Sequence, residues 1–333
     1  MLSFALNVAT TVDAVAPLEV PTTYWLAFCA GTVLLLVLDM FVFHRHAHEP
    51  TLRESALWTV FWCSLALVFN GWVWYRFGHH PAINFFTGYL VEWSLSMDNV
   101  FVFVVIFAYF GVPLRYQYRV LFWGIFGAIV MRLTFIVVFG ELLDRYESVF
   151  YLFGAFLVYT GIKLASAHGV ETHPDQNFVL RFARRRLRVA QGSHGERFFV
   201  RQDGRLFVTS LFLVLLVIET TDVVFAIDSV PAIFGITDDR FIVFTSNVFA
   251  IMGLRALYFL LAGVMGLFRY LSYGLSAILI FIGVKMLLHH WWRPEPWQSL
   301  LVIVGLLATS IVVSIIAARR ERALGIGQEG EGV

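Results

Sequence analysis

Nine apolar stretches, each near membrane-spanning length, run through this chain and leave it few ways to fold. A backbone crossing about 30 Å of hydrocarbon must satisfy every N–H and C=O within itself, which restricts a spanning segment to an α-helix or a closed barrel. The stretches are Thr23–Phe43, Ala56–Phe77, Asn84–Tyr109, Gln117–Gly140, Val149–Ala167, Leu206–Val230, Phe241–Gly263, Leu271–His290 and Trp297–Ala317. Barrel strands are about ten residues long and alternate in polarity, whereas these runs are continuous and about twice as long. The fold class is therefore all-α, a polytopic transmembrane bundle of about nine helices. A composition of 59% apolar and 14% charged residues agrees with a lipid-embedded chain.

Arginine and lysine are distributed unequally between the connections, and this predicts sidedness. Arg45 and Arg53, Arg115 and Arg119, the run Arg181 to Arg188, Arg269, and Arg319, Arg320 and Arg322 all fall on one side. The opposite side holds a cation-free N-terminus, the acidic Glu141–Glu147 turn and Asp238-Asp239-Arg240. The first set is expected in the cytoplasm, with the N-terminus outside and the C-terminus inside. The first 22 residues lack the positive n-region of a cleavable signal, so the first helix is expected to be retained. Cys29 and Cys63 both fall in predicted helices and read as apolar fillers.

Two acidic motifs interrupt this apolar sequence: Glu92-Trp-Ser-Leu-Ser-Met-Asp98-Asn99-Val100 and Asp222-Val-Val-Phe-Ala-Ile-Asp228-Ser229-Val230. A carboxylate at the centre of a membrane helix costs at least about 2.5 kcal/mol, so its retention points to a task. The resemblance between the two regions continues beyond the motifs. Arg132, Gly140 and Lys163 follow the first copy as Arg255, Gly263 and Lys285 follow the second. The offset is 130 residues from Asp98 to Asp228, 123 from Arg132 to Arg255 and 122 from Lys163 to Lys285, so only loop lengths differ. Each unit spans three helices, an odd number, which predicts an inverted repeat with its site near the midplane. The chain divides into 1–83 with two helices, the first repeat at 84–165, a basic loop at 166–205, the second repeat at 206–290, and a last helix with a polar tail at 291–333. The loop could contact anionic lipid, enforce topology or recruit a cytoplasmic partner.

The candidate ligands are Glu92, Asp98, Asn99, Glu219, Asp222, Asp228 and Ser229, all oxygen donors. Such sets suit Mn2+, Mg2+ or Ca2+, whereas zinc and copper sites recruit histidine or cysteine. In an unbroken helix Glu92 and Asp98 stand about 120° apart, so a shared site requires unwinding or ligands from other helices. Pro231 predicts a departure from helical geometry at Val230 and a freed carbonyl upstream. Arg132 and Arg255 sit within membrane helices and need acidic partners, either as structural locks or as groups that take over a carboxylate when a cation leaves. Asn247 and Ser246 are expected to hydrogen-bond between helices. Asp39, followed by His44, Arg45, His46 and His48, is placed at the cytoplasmic mouth, with a role in cation capture or gating. His79-His80 and His289-His290 are expected to pack at helix ends. Nucleotide-binding and hydrolase motifs are absent, which excludes a one-chain ATP-driven pump and points away from an enzyme.

Four stretches carry a family likeness: Glu92-Trp-Ser-Leu-Ser-Met-Asp98-Asn99-Val-Phe-Val-Phe, Arg119-Val-Leu-Phe-Trp-Gly-Ile, Glu219-Thr-Thr-Asp222-Val-Val-Phe-Ala-Ile-Asp228-Ser229-Val-Pro, and Ser246-Asn247-Val-Phe-Ala-Ile-Met-Gly-Leu-Arg255-Ala-Leu-Tyr-Phe. They resemble the TerC/Alx family of integral membrane proteins, from about Leu38 to Ile316. The resemblance implies a bacterial inner-membrane protein associated with manganese efflux and, by the family's name, tellurium-oxyanion resistance. It also carries ion-site roles onto Glu92, Asp98, Glu219, Asp222 and Asp228. Clustered carboxylates repel a tellurite oxyanion and hold a divalent cation, so Mn2+ export by alternating access is the expected function. The transported ion and the lipid bilayer are the expected partners, with no permanent cofactor and no nucleic acid; oligomeric state is left open. The alternative is a non-transporting membrane component of a tellurite- or stress-resistance or metal-loading complex.

Overall fold

The structure is a computed structural model that describes residues 18–39, 51–166, 178–190, 195–202, 204–262, 271–292 and 294–323. Among these residues the order of elements is α1 (Thr22–Leu38), α2 (Leu52–Phe77), α3 (His79–Tyr109), α4 (Leu114–Arg145), α5 (Glu147–Ser166), α6 (Phe178–Arg186), β1 (Phe199–Gln202), β2 (Arg205–Val208), α7 (Ser210–Phe234), α8 (Arg240–Met252), α9 (Leu254–Ala262), α10 (Leu271–Leu287) and α11 (Pro296–Ala323). The fold is an all-α polytopic bundle, and helix underlies each of the nine apolar stretches. Among the described residues six helices are long and apolar enough to cross a membrane, and α8 with α9, bent by 41°, makes a seventh where the pair is counted as one broken span rather than a re-entrant loop. α1 and α10 are apolar helices of 17 residues, about 25 Å long at 1.5 Å per residue.

Short polar side chains start several of these helices by accepting the first free amides. Thr51 Oγ1 accepts from Glu54 N–H at 3.2 Å to open α2, and Asp239 Oδ1 accepts from Phe241 and Ile242 N–H at 2.9 and 3.1 Å to open α8. Every residue of α8 from Phe241 to Met252 is buried, as a helix apolar all round should be when neighbours enclose it. α3 is the other buried element, while α2, α5 and α11 turn much of their surface outward. The principal helix contacts are α3 with α8, α4 with α7 and α5 with α10, each joining one helix of 84–165 to one of 206–290.

Of the two alternatives the acidic spacing left open, unwinding does not occur, nor does the departure expected at Val230. α3 is continuous through Glu92 and Asn99, and α7 is continuous through Pro231. Ser229 to Phe234 are all buried, so packing holds the helical path even though Pro231 donates no hydrogen bond. The interruption falls instead at Gly253, between α8 and α9, inside what the sequence presents as one span.

The loop at 166–205 is more structured than its polarity suggests. α6 buries Leu180 and Ala183, three residues apart, while Arg181, Arg185 and Arg186 stay exposed. β1 and β2 form an antiparallel hairpin, and Arg119 on α4 pairs with Glu196 at 3.1 Å. His44, Arg45, His46, His48 and Arg269 lie outside the described residues. Cys29 and Cys63 are free, and Cys63 Sγ accepts from Tyr89 Oη at 3.2 Å.

Small residues let α5 and α10 approach closely, the usual basis of helix association where lipid supplies no hydrophobic drive. A Cβ at Gly283 would sit 2.6 Å from the Gly154 carbonyl oxygen and 2.9 Å from the Val158 amide nitrogen, neither of which can swing away. Ser276 Oγ also donates to the Gly161 carbonyl across this interface. Gly283→Leu is expected to destabilise the bundle by about 3 kcal/mol, through overpacking. Gly305→Leu, where an added Cβ meets nothing within 4 Å, should leave the unfolding midpoint in detergent unchanged.

Candidate functional site

The centre of the bundle is organised by Arg132, which α4 carries into a position that is 2% exposed. Its Nη1 donates to Glu92 Oε1 on α3, to Ser229 Oγ on α7 at 2.8 Å and to Asn247 Oδ1 on α8 at 3.2 Å. Asn247 Nδ2 in turn donates to Glu92 Oε2 at 3.2 Å. One nitrogen thus gathers oxygen atoms from three helices, and both oxygens of the fully buried Glu92 are engaged. Arg132 Nε has no hydrogen-bond partner among the described residues.

Two small cavities adjoin this cluster, and Asn99 and Arg132 line both. The smaller, about 10 Å³, is also bordered by Asp222, Gly124, Ile251 and Leu254, and has room for about one water. The larger, about 90 Å³, is also bordered by Asp228, Ser229, Thr160 and Leu95. Thr160 Oγ1 donates to Asp228 Oδ1 at 3.5 Å. The arrangement follows from helical spacing. Glu92 and Asn99 are seven residues apart on α3, as are Asp222 and Ser229 on α7, and this interval returns a helix to the same face. In both motifs the first acid and the final amide or hydroxyl share the inward face.

The remaining predicted positions spread around this centre. Asp98 lies on α3, with its side chain outside the described part of the structure. Glu219 is half-buried one turn before Asp222, and its carboxylate rests against Gly127 of α4, where a Cβ would collide with it. Among the described residues Glu219 makes no hydrogen bond or ion pair. No three described His, Cys, Asp or Glu side chains converge on a point where they could hold a metal ion. The contiguous oxygen donors are instead Glu92, Ser229 and Asn247, with Arg132 between them.

Arg255 and Asp39 form a second buried ion pair, joining α9 to the residue after α1. The Arg255 guanidinium lies 4.2 Å from the centre of the Tyr118 ring, and Tyr258 Oη donates to Gln117 Oε1 at 2.6 Å nearby. The two arginines that match in the repeat therefore take different partners. A third pair, between Arg240 and Asp144, joins α8 to α4 at the opposite end of the bundle, with Glu141 at 3.9 Å. It borders a cavity of about 260 Å³ that is also lined by Asp238 and His289. The sequence reading passed over this pair, although the Asp238-Asp239-Arg240 triplet and the acidic turn at Glu141 were its visible signs. Thr160 and Gly127 were also missed, since neither residue type marks a site by itself. His79 and His80 pack ring to ring at 4.1 Å, and His289 packs on Phe150 at 5.0 Å, both at helix ends as expected.

The family model for the integral membrane protein TerC family matches residues 77–322. A membrane protein of Myxococcus xanthus known as STKORF319, itself uncharacterized, is 47% identical over 295 residues, covering 89% of this chain and 92% of its own. A protein of Escherichia coli K12, provisionally named the membrane-bound redox modulator Alx, is 42% identical over 299 residues, with 87% and 93% covered. A membrane protein of Rickettsia bellii is 38% identical over 292 residues, with 88% and 97% covered. No solved structure matches the chain. With a family model spanning all the helices of both acidic motifs, and relatives aligned over nearly their whole length, the chain belongs to the integral membrane protein TerC family.

Proposed function

We propose that the protein exports divalent cations, with Mn2+ as the principal cargo, from a carboxylate site at the middle of the bundle. The observation that carries this reading is the position of Arg132 Nη1, where a cation would find Glu92, Ser229 and Asn247 already facing it. Arg132 acts as a tethered cation that holds these oxygens while the site is empty. An arriving divalent ion displaces it and recruits Asn99 and Asp222 across the small cavity, while Asp228, Asp98 and Glu219 supply further negative charge. Return of the guanidinium to Glu92 then helps release the ion.

On this reading residues 84–165 and 206–290 are inverted repeats that move against each other, an arrangement supported by the crossed contacts α3 with α8 and α4 with α7. Arg240 with Asp144 would then serve as the gate at one end and Arg255 with Asp39 as the gate at the other. The protein sits in the bacterial inner membrane, with its N-terminus outside, its C-terminus in the cytoplasm and no permanent cofactor. A second reading, a non-transporting membrane component of a tellurite- or stress-resistance or metal-loading complex, draws on the folded basic segment of α6 and the hairpin as a surface for a cytoplasmic partner. The redox naming of the Escherichia coli relative fits that reading as well, with Cys29 and Cys63 as free thiols on α1 and α2.

In proteoliposomes, Asp222→Asn is expected to abolish Mn2+ movement, and Asn247→Ala to raise the Mn2+ concentration needed for half-maximal flux by about 10–100-fold. Intact flux in Asp222→Asn would refute the site. Arg132→Gln leaves Glu92 buried without its counter-ion and should cost about 3–5 kcal/mol of stability. Adding Glu92→Gln to Arg132→Gln should restore most of that stability while transport stays absent, as read by unfolding in detergent and flux on the same preparations. Replacing Arg181, Arg185 and Arg186 together by glutamine keeps Leu180 and Ala183 packed; metal tolerance of cells should persist in this variant if the protein transports and disappear if it is a docking component.

A further inference from the structure

Between α1, α2 and α8 lies an apolar crevice of about 330 Å³ that the transport reading does not use. Tyr24, Phe28, Gly31 and Leu35 form one face of α1 along it, and Phe69, Trp72, Phe241 and Phe249 form the facing wall. Among the described residues no charged side chain lines it. The space exists because Ala27 and Gly31 leave α1 thin at its middle; an added Cβ at Gly31 meets no atom within 4 Å. Tyr24 to Leu35 covers three turns of helix, about 16 Å along the axis, and so extends from one helix end well into the apolar layer. In a bilayer the surrounding solvent is acyl chain, and an unfilled apolar gap would forfeit the dispersion contacts of its whole lining.

The mouth of the crevice carries a cation without a carboxylate. Arg76 Nε donates to Tyr24 Oη at 3.1 Å, and the guanidinium stands 5.8 and 5.7 Å from the ring centres of Tyr24 and Phe77. Arg76 is exposed and forms no ion pair among the described residues. The guanidinium donors that Tyr24 does not engage match the paired oxygens of a phosphate. Exposed Trp74 and Tyr75 flank this end, as expected where a helix meets the headgroup layer.

We propose that this crevice is a binding site for an anionic phospholipid, with one acyl chain between α1 and α8 and the phosphate on Arg76. The cation gives the site its preference for anionic lipid, since an acyl chain alone gains little by leaving one hydrocarbon environment for another. Occupancy would brace α1 against α8, the helix that carries Asn247.

Native mass spectrometry of the full-length protein, titrated with phosphatidylglycerol or with phosphatidylcholine of the same chains, tests this. One saturable phosphatidylglycerol is expected, bound about tenfold more tightly than phosphatidylcholine, because both lipids offer the phosphate but the choline lipid also sets a second cation beside Arg76. Arg76→Ala should remove that preference. Gly31→Leu, whose Cβ enters a space with no protein atom within 4 Å and whose side chain obstructs the crevice at its middle, should remove the saturable site while the unfolding midpoint is unchanged. Equal binding of the two lipids, or a Gly31→Leu variant that binds phosphatidylglycerol as the parent does, would overturn the proposal and leave non-selective lipid contact, or the chain's own residues 1–17, as the occupant.

Discussion

A guanidinium inside a low-dielectric bundle has to be neutralised where it stands, and for Arg132 that requirement fixes how four helices meet. Glu92 supplies the charge, while Ser229 and Asn247 satisfy the donors that one carboxylate cannot reach. Rotating α3, α7 or α8 by a fraction of a turn would leave one of these groups unpaired in a water-poor interior, at a cost comparable to the stability of a small domain. The cluster therefore sets the register of the helices as well as the electrostatics of the centre. A buried ion pair adds little net stability over a hydrophobic replacement, so its value lies in the specificity of this arrangement.

Around that centre the packing is uneven. α5 and α10 meet through glycines at backbone distance, a contact that resists sliding. α8, in contrast, is surrounded by aromatic rings of α1 and α2, including Trp25, Phe28 and Phe69, in tilted and edge-on arrangements. Ion pairs stand near both ends of the bundle, Arg240 with Asp144 between α8 and α4 and Arg255 with Asp39 between α9 and the end of α1, and neither involves the tight α5–α10 pair.

Much of this could be read from the sequence because membrane burial penalises charge so heavily. A run of twenty apolar residues is its own evidence, and acids or arginines within it demand partners; Arg132 and Arg255 both have them. Less legible was which partner each would take. The two arginines match in sequence, yet one pairs with Glu92 within the first repeat and the other with Asp39 outside both, because only the folded chain brings the end of α1 beside α9. The acidic motifs were read by their acids, six residues apart, whereas the shared face is set by a spacing of seven, which selects Asn99 and Ser229. Pro231 looked like the breaker, but the packing around it preserves helix, while Gly253 interrupts α8 and α9 without any flanking proline to announce it.

The break at Gly253 also bears on hydration. A one-residue interruption leaves the last carbonyls of α8 and the first amides of α9 without their regular partners. Ile251 and Leu254, on either side of the break, border the small cavity that Asp222 and Arg132 also line, so the break lies at the level of the central cluster. Irregular backbone at membrane depth is tolerated where it faces protein or a water-filled space. If the protein exports cations as proposed, oxygens freed at this break, together with the Asp222 carboxylate, would replace the hydration shell of a passing ion one molecule at a time instead of all at once.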